Sequence, residues 1–194
     1  MENSILKTKI WKQKSSPERT LVDVLTQELN APEIIAKMLV QRGIDSSDKV
    51  KKFFNPRIGD MHDPFLMKDM DKAIERIQTA QQQKEGVLIF GDYDVDGTTS
   101  VALAYSFFKD KFDKIDYYIP DRYKEGYGIS NDGIEYAKAN GLSLIIALDC
   151  GIRSIDKIDY ATSMGIDFII CDHHLPGAEI PKAVAVLDPK RSDC

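Results

Sequence analysis

Apolar positions follow two different rhythms along this chain. Through the first seventy residues they recur at helical spacing: Leu21, Val24, Leu25 and Leu29 after Pro17, then Ile34, Ile35, Met38 and Leu39 after Pro32, closed by Gly43. Asp45, Ser46 and Ser47 offer caps for a third helix, which carries Val50, Phe53 and Phe54 up to the stop at Asn55-Pro56. A loop rich in Asp, Met and Pro runs from Gly59 to Met67. The pattern therefore divides into a small all-helical cap region over residues 1–69 and a larger domain over residues 70–194.

In the larger domain short, continuously apolar runs take turns with amphipathic stretches. Helices are predicted over 70–82, 98–108, 131–139 and 155–164, and strands over 87–90, 117–119, 144–148, 166–171 and 184–187. Runs such as Val87 to Phe90 and Leu144 to Leu148 do not alternate with polar residues, which suits strands covered on both sides. The predicted fold class is α/β: a parallel sheet with helices on both faces, preceded by the helical region. Thr98, Thr99 and Ser100 are the predicted caps of the helix after the first strand.

Composition narrows the classes. With 194 residues and 43% hydrophobic content, the chain has material for a full core without covalent staples. Three cysteines, Cys150, Cys171 and Cys194, make no CxxC pair, and the odd count speaks for a reducing, cytoplasmic setting. No apolar run reaches membrane-spanning length, and Met1 to Lys14 lacks the apolar centre of a signal peptide, so no membrane partner is expected. A net charge of −5 does not mark a general polyanion binder, so local basic groups or bound metals must supply any attraction to nucleic acid. Lys7, Lys9, Lys12, Lys14 and Arg19 fit either a polyanion contact or an ordinary solvated charge run.

The chemistry gathers at strand tips. Val87 to Ser100 reads VLIFGDYDVDGTTS: a buried strand that ends in Asp92, Asp94 and Asp96, followed by a helix. Three carboxylates so close repel one another, and a divalent cation relieves the repulsion. An EF-hand is excluded, because Leu103 stands where that loop needs its bidentate Glu and a strand replaces the entering helix. A Walker A loop is excluded as well, because no Gly-Lys pair follows. A solvated acidic turn would remain the plain reading if this tip stood alone. Two further strands end alike, however: Asp149 at the tip of the third and Asp172, His173 and His174 at the tip of the fourth. Parallel strands share one carboxyl edge, so these residues can converge on one crevice. Carboxylates with imidazole suit Mn2+ or Mg2+ better than structural zinc, and Cys150 and Cys171 fit as small buried residues. Two ions about 3.5–4 Å apart in such a site activate water and clamp a phosphoryl group, which makes phosphoester hydrolysis the expected reaction class.

The same segments resemble the DHH phosphoesterases: DYDVDG at 92–97, DCG at 149–151 and DHH at 172–174. Further segments are similar to the single-strand-specific DNA exonucleases within that family. They are Phe54-Asn55-Pro56, His62-Asp63-Pro64-Phe65, Met67-Lys68-Asp69-Met70, Pro120-Asp121-Arg122, Glu125-Gly126-Tyr127-Gly128 and Asp188-Pro189-Lys190-Arg191. The resemblance implies a two-metal exonuclease that removes nucleotides from the 5′ end of single-stranded DNA in recombination and repair, with single-strand-binding protein and a helicase as partners. It implies that Asp94 and Asp96 each ligate one ion, that Asp149 bridges both, that His173 is a further ligand and that His174 faces the scissile phosphate. Asp92 and Asp172 then support the ligands from behind. The resemblance departs at Phe90, where related phosphoesterases carry a histidine, so one ion is expected to be held less tightly. The family also has another metal-binding aspartate and a substrate-gripping domain beyond the last residue here, so the domain is expected to be incomplete at its C-terminal end. Arg122, after the second strand, is expected either to contact phosphate or to pair with Asp121 or Glu125. Short oligonucleotides or cyclic dinucleotides are the alternative substrates. An inactive metal- or DNA-binding fragment is the alternative to an enzyme.

Overall fold

The structure, a computed structural model, describes residues 10–194, so Lys7 and Lys9 lie outside the described residues. The chain forms two compact units, residues 1–62 and 63–194. In the first, α1 (Arg19–Leu29), α2 (Glu33–Val40) and α3 (Ser47–Phe54) pack around Val22, Leu25, Ala36, Leu39 and Val50. Asn30 ends α1 in the left-handed conformation, and the Ser46 side chain accepts from the Lys49 amide to begin α3. Two of the basic groups here have partners: Arg19 pairs with Asp23 and Glu33, and the Lys14 ammonium donates to the Gln41 carbonyl.

The second unit contains α4 (Met70–Gln82), β1 (Gly86–Gly91), α5 (Val95–Phe108), β2 (Ile115–Tyr118), α6 (Asn131–Ala139), β3 (Leu142–Leu148), α7 (Ile155–Ser163), β4 (Asp167–Cys171) and β5 (Ala185–Leu187). All strand pairs are parallel, in the order β2-β1-β3-β4-β5. The β1 strand is buried at every position. Its alternate side chains feed two cores. Leu88 and Phe90 join Ile145, Phe168 and Ile170 beneath α6 and α7, while Val87 and Ile89 join Leu144, Ile146 and Ile169 beneath α4 and α5. The expected α/β sheet with helices on both faces is thus present, with the helical region before it.

Two polar clamps frame this sandwich. At the amino edge of the sheet the Arg76 guanidinium, from α4, bridges Glu85 and Asp167, and Ser143 donates to Glu85. Near the chain's last residues the buried Arg191 guanidinium donates to Asp69, Asp193 and the Val186 carbonyl. It ties the segment after β5 to the turn that enters α4.

Two expected boundaries are corrected: β2 spans Ile115–Tyr118, not 117–119, and the helix after β1 starts earlier than expected. Helix α5 begins at Val95, not Thr98, because its cap is Asp94, whose carboxylate accepts the Gly97 amide at 2.9 Å. The Thr98 and Thr99 hydroxyls instead turn back to the carbonyls of Asp94 and Val95. The predicted loop between 59 and 67 contains two short 3-10 turns, Ile58–Asp60 and Pro64–Leu66.

Candidate metal centre

The strand order reverses direction between β1 and β3: from β1 the chain builds β2 on one side, then returns to lay down β3 on the other. In an open parallel sheet that reversal opens a crevice at the carboxyl edge. The tips of β1 and β3 flank it, and β4 stands next in line. Asp92, Asp94 and Asp96 follow β1, Asp149 follows β3, and Asp172, His173 and His174 follow β4.

Backbone packing brings the first tip in. A Cβ on Gly97 would lie 2.6 Å from the Asp92 backbone nitrogen and 2.7 Å from its carbonyl carbon. Only a bare α-carbon lets the first turn of α5 rest on the end of β1. Asp92 is fully buried there. Its Oδ1 accepts the Gly128 amide at 3.3 Å, and its Oδ2 finds no donor among the described residues. Asp94 and Asp96 stay exposed at the mouth.

Asp149 is held by an unusual turn, with its backbone in the left-handed region at φ 62° and its amide donating to the Cys171 carbonyl. The side chain is buried. Its Oδ1 lies 2.9 Å from His173 Nε2, and its Oδ2 has no donor among the described residues. Burial pushes the Asp149 carboxyl up, the negative charge of Asp94 adds to this, and the two histidines oppose it. A second cation-seeking feature is the grouping of Asp149, His173 and His174, whose ligand atoms lie within 4.8 Å of one another. Neither Cys150 nor Cys171 joins that group among the described residues.

Asp172 is the anchor of the β4 tip. Its Oδ1 accepts the amides of His173 and His174 and lies 2.7 Å from His174 Nδ1, while its Oδ2 accepts the Ile152 amide at 2.9 Å. Burial alone would raise this carboxyl, but the amides of Ile152 and His174 and the His174 ring hold it below the usual range. Asp96, Asp149, Asp172 and His173 line one open cleft of about 450 Å³, together with Thr99, Ser100 and Cys171.

The donor set therefore suits a hard or borderline divalent ion: carboxylate oxygens and imidazole nitrogen, one of the oxygens buried without a donor. Phe90 takes no part. Its ring is buried and stacks on Tyr118, 5.5 Å between centroids. Arg122 pairs with neither Asp121 nor Glu125 among the described residues. Asp121 accepts the amides of Tyr123 and Lys124, Glu125 accepts from Tyr118 and the Asp121 amide, and the guanidinium lies over the Tyr93 ring at 5.1 Å. Sequence reasoning assigned no role to Tyr127, whose hydroxyl stands 3.2 Å from His174 Nε2. A single aromatic in an irregular loop carries no periodicity; its signals were the flanking glycines, Gly126 and Gly128, both at positive φ, and its place in the segment 125–128 similar to the exonucleases.

Residues 86–194 match the DHH family, N-terminal domain. The chain is 39% identical over 178 residues to the single-stranded-DNA-specific exonuclease RecJ of Bacillus subtilis, covering 92% of this chain and 23% of that protein. It is 33% identical to RecJ of Escherichia coli, covering 84% of this chain and 28% of that protein. It spans about a quarter of the length of these curated relatives. Among solved structures, an exonuclease RecJ bound to manganese superposes with a TM-score of 0.59 at 27% identity, over 65% of this chain and 32% of that one. RecJ in complex with Mn2+ from Thermus thermophilus gives a TM-score of 0.66 at 21% identity, over 91% of this chain and 24% of that one, a likeness of fold.

Proposed function

Because the chain belongs to the DHH family, we propose that it is the metal-binding part of a RecJ-like exonuclease, which hydrolyses single-stranded DNA from the 5′ end during recombination and repair. The observation that carries this reading is the buried, donorless Oδ2 of Asp149 in the same cleft as Asp96 and His173. The curated relatives named above are single-stranded-DNA-specific exonucleases, and two structural neighbours are RecJ proteins with manganese, which supports the choice of substrate and ion.

In this reading Asp94, Asp96, Asp149 and His173 would hold the two Mn2+ or Mg2+ ions. Bound there, the ions supply Lewis acidity toward the phosphoryl oxygens and a lowered pKa for water. The chain's own groups orient the reactants. Asp94 caps α5 through Oδ1 and keeps its other oxygen for an ion. Asp92 and Asp172 work from behind: the first steadies the loop at Gly128, the second fixes the His174 ring through Nδ1. His174 then faces the scissile phosphate, and the Arg122 guanidinium, uncommitted to any acid among the described residues, meets a phosphate on the strand. Single-strand-binding protein and a helicase are the partners that this role implies.

The test is digestion of a 5′-phosphorylated single-stranded oligonucleotide with Mn2+ by this chain and its Asp149→Asn variant. Stepwise release of mononucleotides, slower on the duplex and lost in the variant, is expected. Equal activity in the variant would refute the metal assignment, and faster cleavage of a cyclic dinucleotide would move the substrate to the smaller class.

A further inference from the structure

Two histidines follow Asp172, and each has a ring nitrogen close enough to Asp149 to share an ion with it. Ordinary coordination logic favours the second. A metal-ligating histidine usually presents its other ring nitrogen to a carboxylate, and His174 Nδ1 stands 2.7 Å from Asp172 Oδ1. His173 has no such support; its polar partner among the described residues is Asp149 itself. By this measure the better prepared ligand is His174, not His173.

What opposes that outcome is the Tyr127 hydroxyl, 3.2 Å from His174 Nε2. The Asp172 carboxylate already accepts three backbone amides, so it accepts from His174 as well, and Nδ1 carries the proton. With Nδ1 committed to Asp172, Nε2 is the nitrogen that meets the tyrosine hydroxyl. Tyr127 is itself braced: its ring meets Tyr93 and His174 edge to face, 6.0 Å between centroids in each case. Burial, with the charges of Asp92, Asp149 and Asp94, keeps its hydroxyl protonated.

We propose that Tyr127 is the positioning residue that assigns the two histidines their tasks. Its hydroxyl occupies the one nitrogen through which His174 can ligate. His173 is left as the imidazole ligand, and His174 stays outside the coordination sphere. This inference rests on the metal reading above.

Mn2+ bound to this chain at substoichiometric loading reports the number of coordinated imidazole nitrogens by pulsed electron paramagnetic resonance. One directly bound nitrogen is expected in the wild type and two in Tyr127→Phe, which keeps the ring and removes the hydroxyl. The affinity for Mn2+ is expected to tighten by about tenfold, the scale on which outer partners tune metal binding. In Tyr127→Phe with His174→Ala the count returns to one. His174→Ala alone keeps the single nitrogen of the wild type, so the assignment is also testable without altering Tyr127. Equal counts in the wild type and Tyr127→Phe, or loss of the nitrogen in His174→Ala, would overturn the inference while leaving the metal site in place. Failure of every variant and of the wild type to bind Mn2+ would overturn the metal reading and this inference together.

Discussion

Gly97→Ala sets two opposed effects against each other. In an ordinary helix interior the change from glycine to alanine stabilises by up to about 1 kcal/mol. Here the new methyl would sit 2.6 Å from the Asp92 nitrogen, 2.7 Å from its carbonyl carbon and closer still to its carbonyl oxygen. All three atoms are backbone at the end of a fully buried strand, so no side chain can swing aside. Ordinary contact begins at 3.4 Å, so α5 must retreat by close to 1 Å from β1. Overpacking of this kind costs about 1–3 kcal/mol. The net expectation is a loss of about 1–2 kcal/mol by urea denaturation, or several degrees in the melting midpoint of a domain of this size. The retreat also carries Asp94 and Asp96 away from Asp149, so calorimetry should find weaker Mn2+ binding. A variant as stable as the wild type, with unchanged Mn2+ affinity, would refute the close approach of α5 to the tip of β1.

Other expectations test separate parts. Arg76→Met strands Glu85 and Asp167 at the amino edge of the sheet and should cost about 2–4 kcal/mol in urea, well above a surface ion pair, because Arg76 and Glu85 are mostly buried. The hydrogen bond from Arg76 holds Glu85 below its ordinary value against the effect of burial. Its contribution is therefore complete above the unfolded value of about 4.3 and disappears as pH falls through the lower folded value. In Glu85→Gln that part of the acid loss should be missing from the stability profile. Saturating Mn2+ at a hundred times its dissociation constant should raise unfolding free energy by about 2.7 kcal/mol, reversed by chelation and absent in Asp149→Asn. In the full-length exonuclease proposed above, Arg122→Ala should raise KM for single-stranded DNA with little change in kcat; an unchanged KM would remove its phosphate contact.

The middle of the sheet was legible because β1, β3 and β4 are largely buried, and continuous apolar runs such as Val87 to Phe90 show no helical period. The convergence of strand tips followed from parallel pairing alone. Local chemistry was harder to see. Thr98 and Thr99 look like caps, yet their hydroxyls bond back to carbonyls one turn earlier and Asp94 takes the cap, which places Asp96 in the first turn of α5. Arg122 was left between phosphate and acid because nothing in the spacing reveals that Tyr93 turns its ring beneath the guanidinium. Arg191 is buried with a partner 122 positions earlier, Asp69, and no local pattern records so distant a pairing.

The left-handed backbone at Asp149 joins two requirements in a single residue. At φ 62° most side chains are strained, and aspartate and asparagine are the types besides glycine that tolerate it. The turn that aims the carboxylate into the crevice is thus made affordable by the identity of the ligand itself. Replacement by glycine would relax the turn and delete the ligand, replacement by glutamate would keep the charge and strain the turn, and only asparagine separates the two. A position under such joint selection has almost no neighbouring sequences through which it can drift, so among the aspartates around the crevice it is the one least free to exchange roles with another residue.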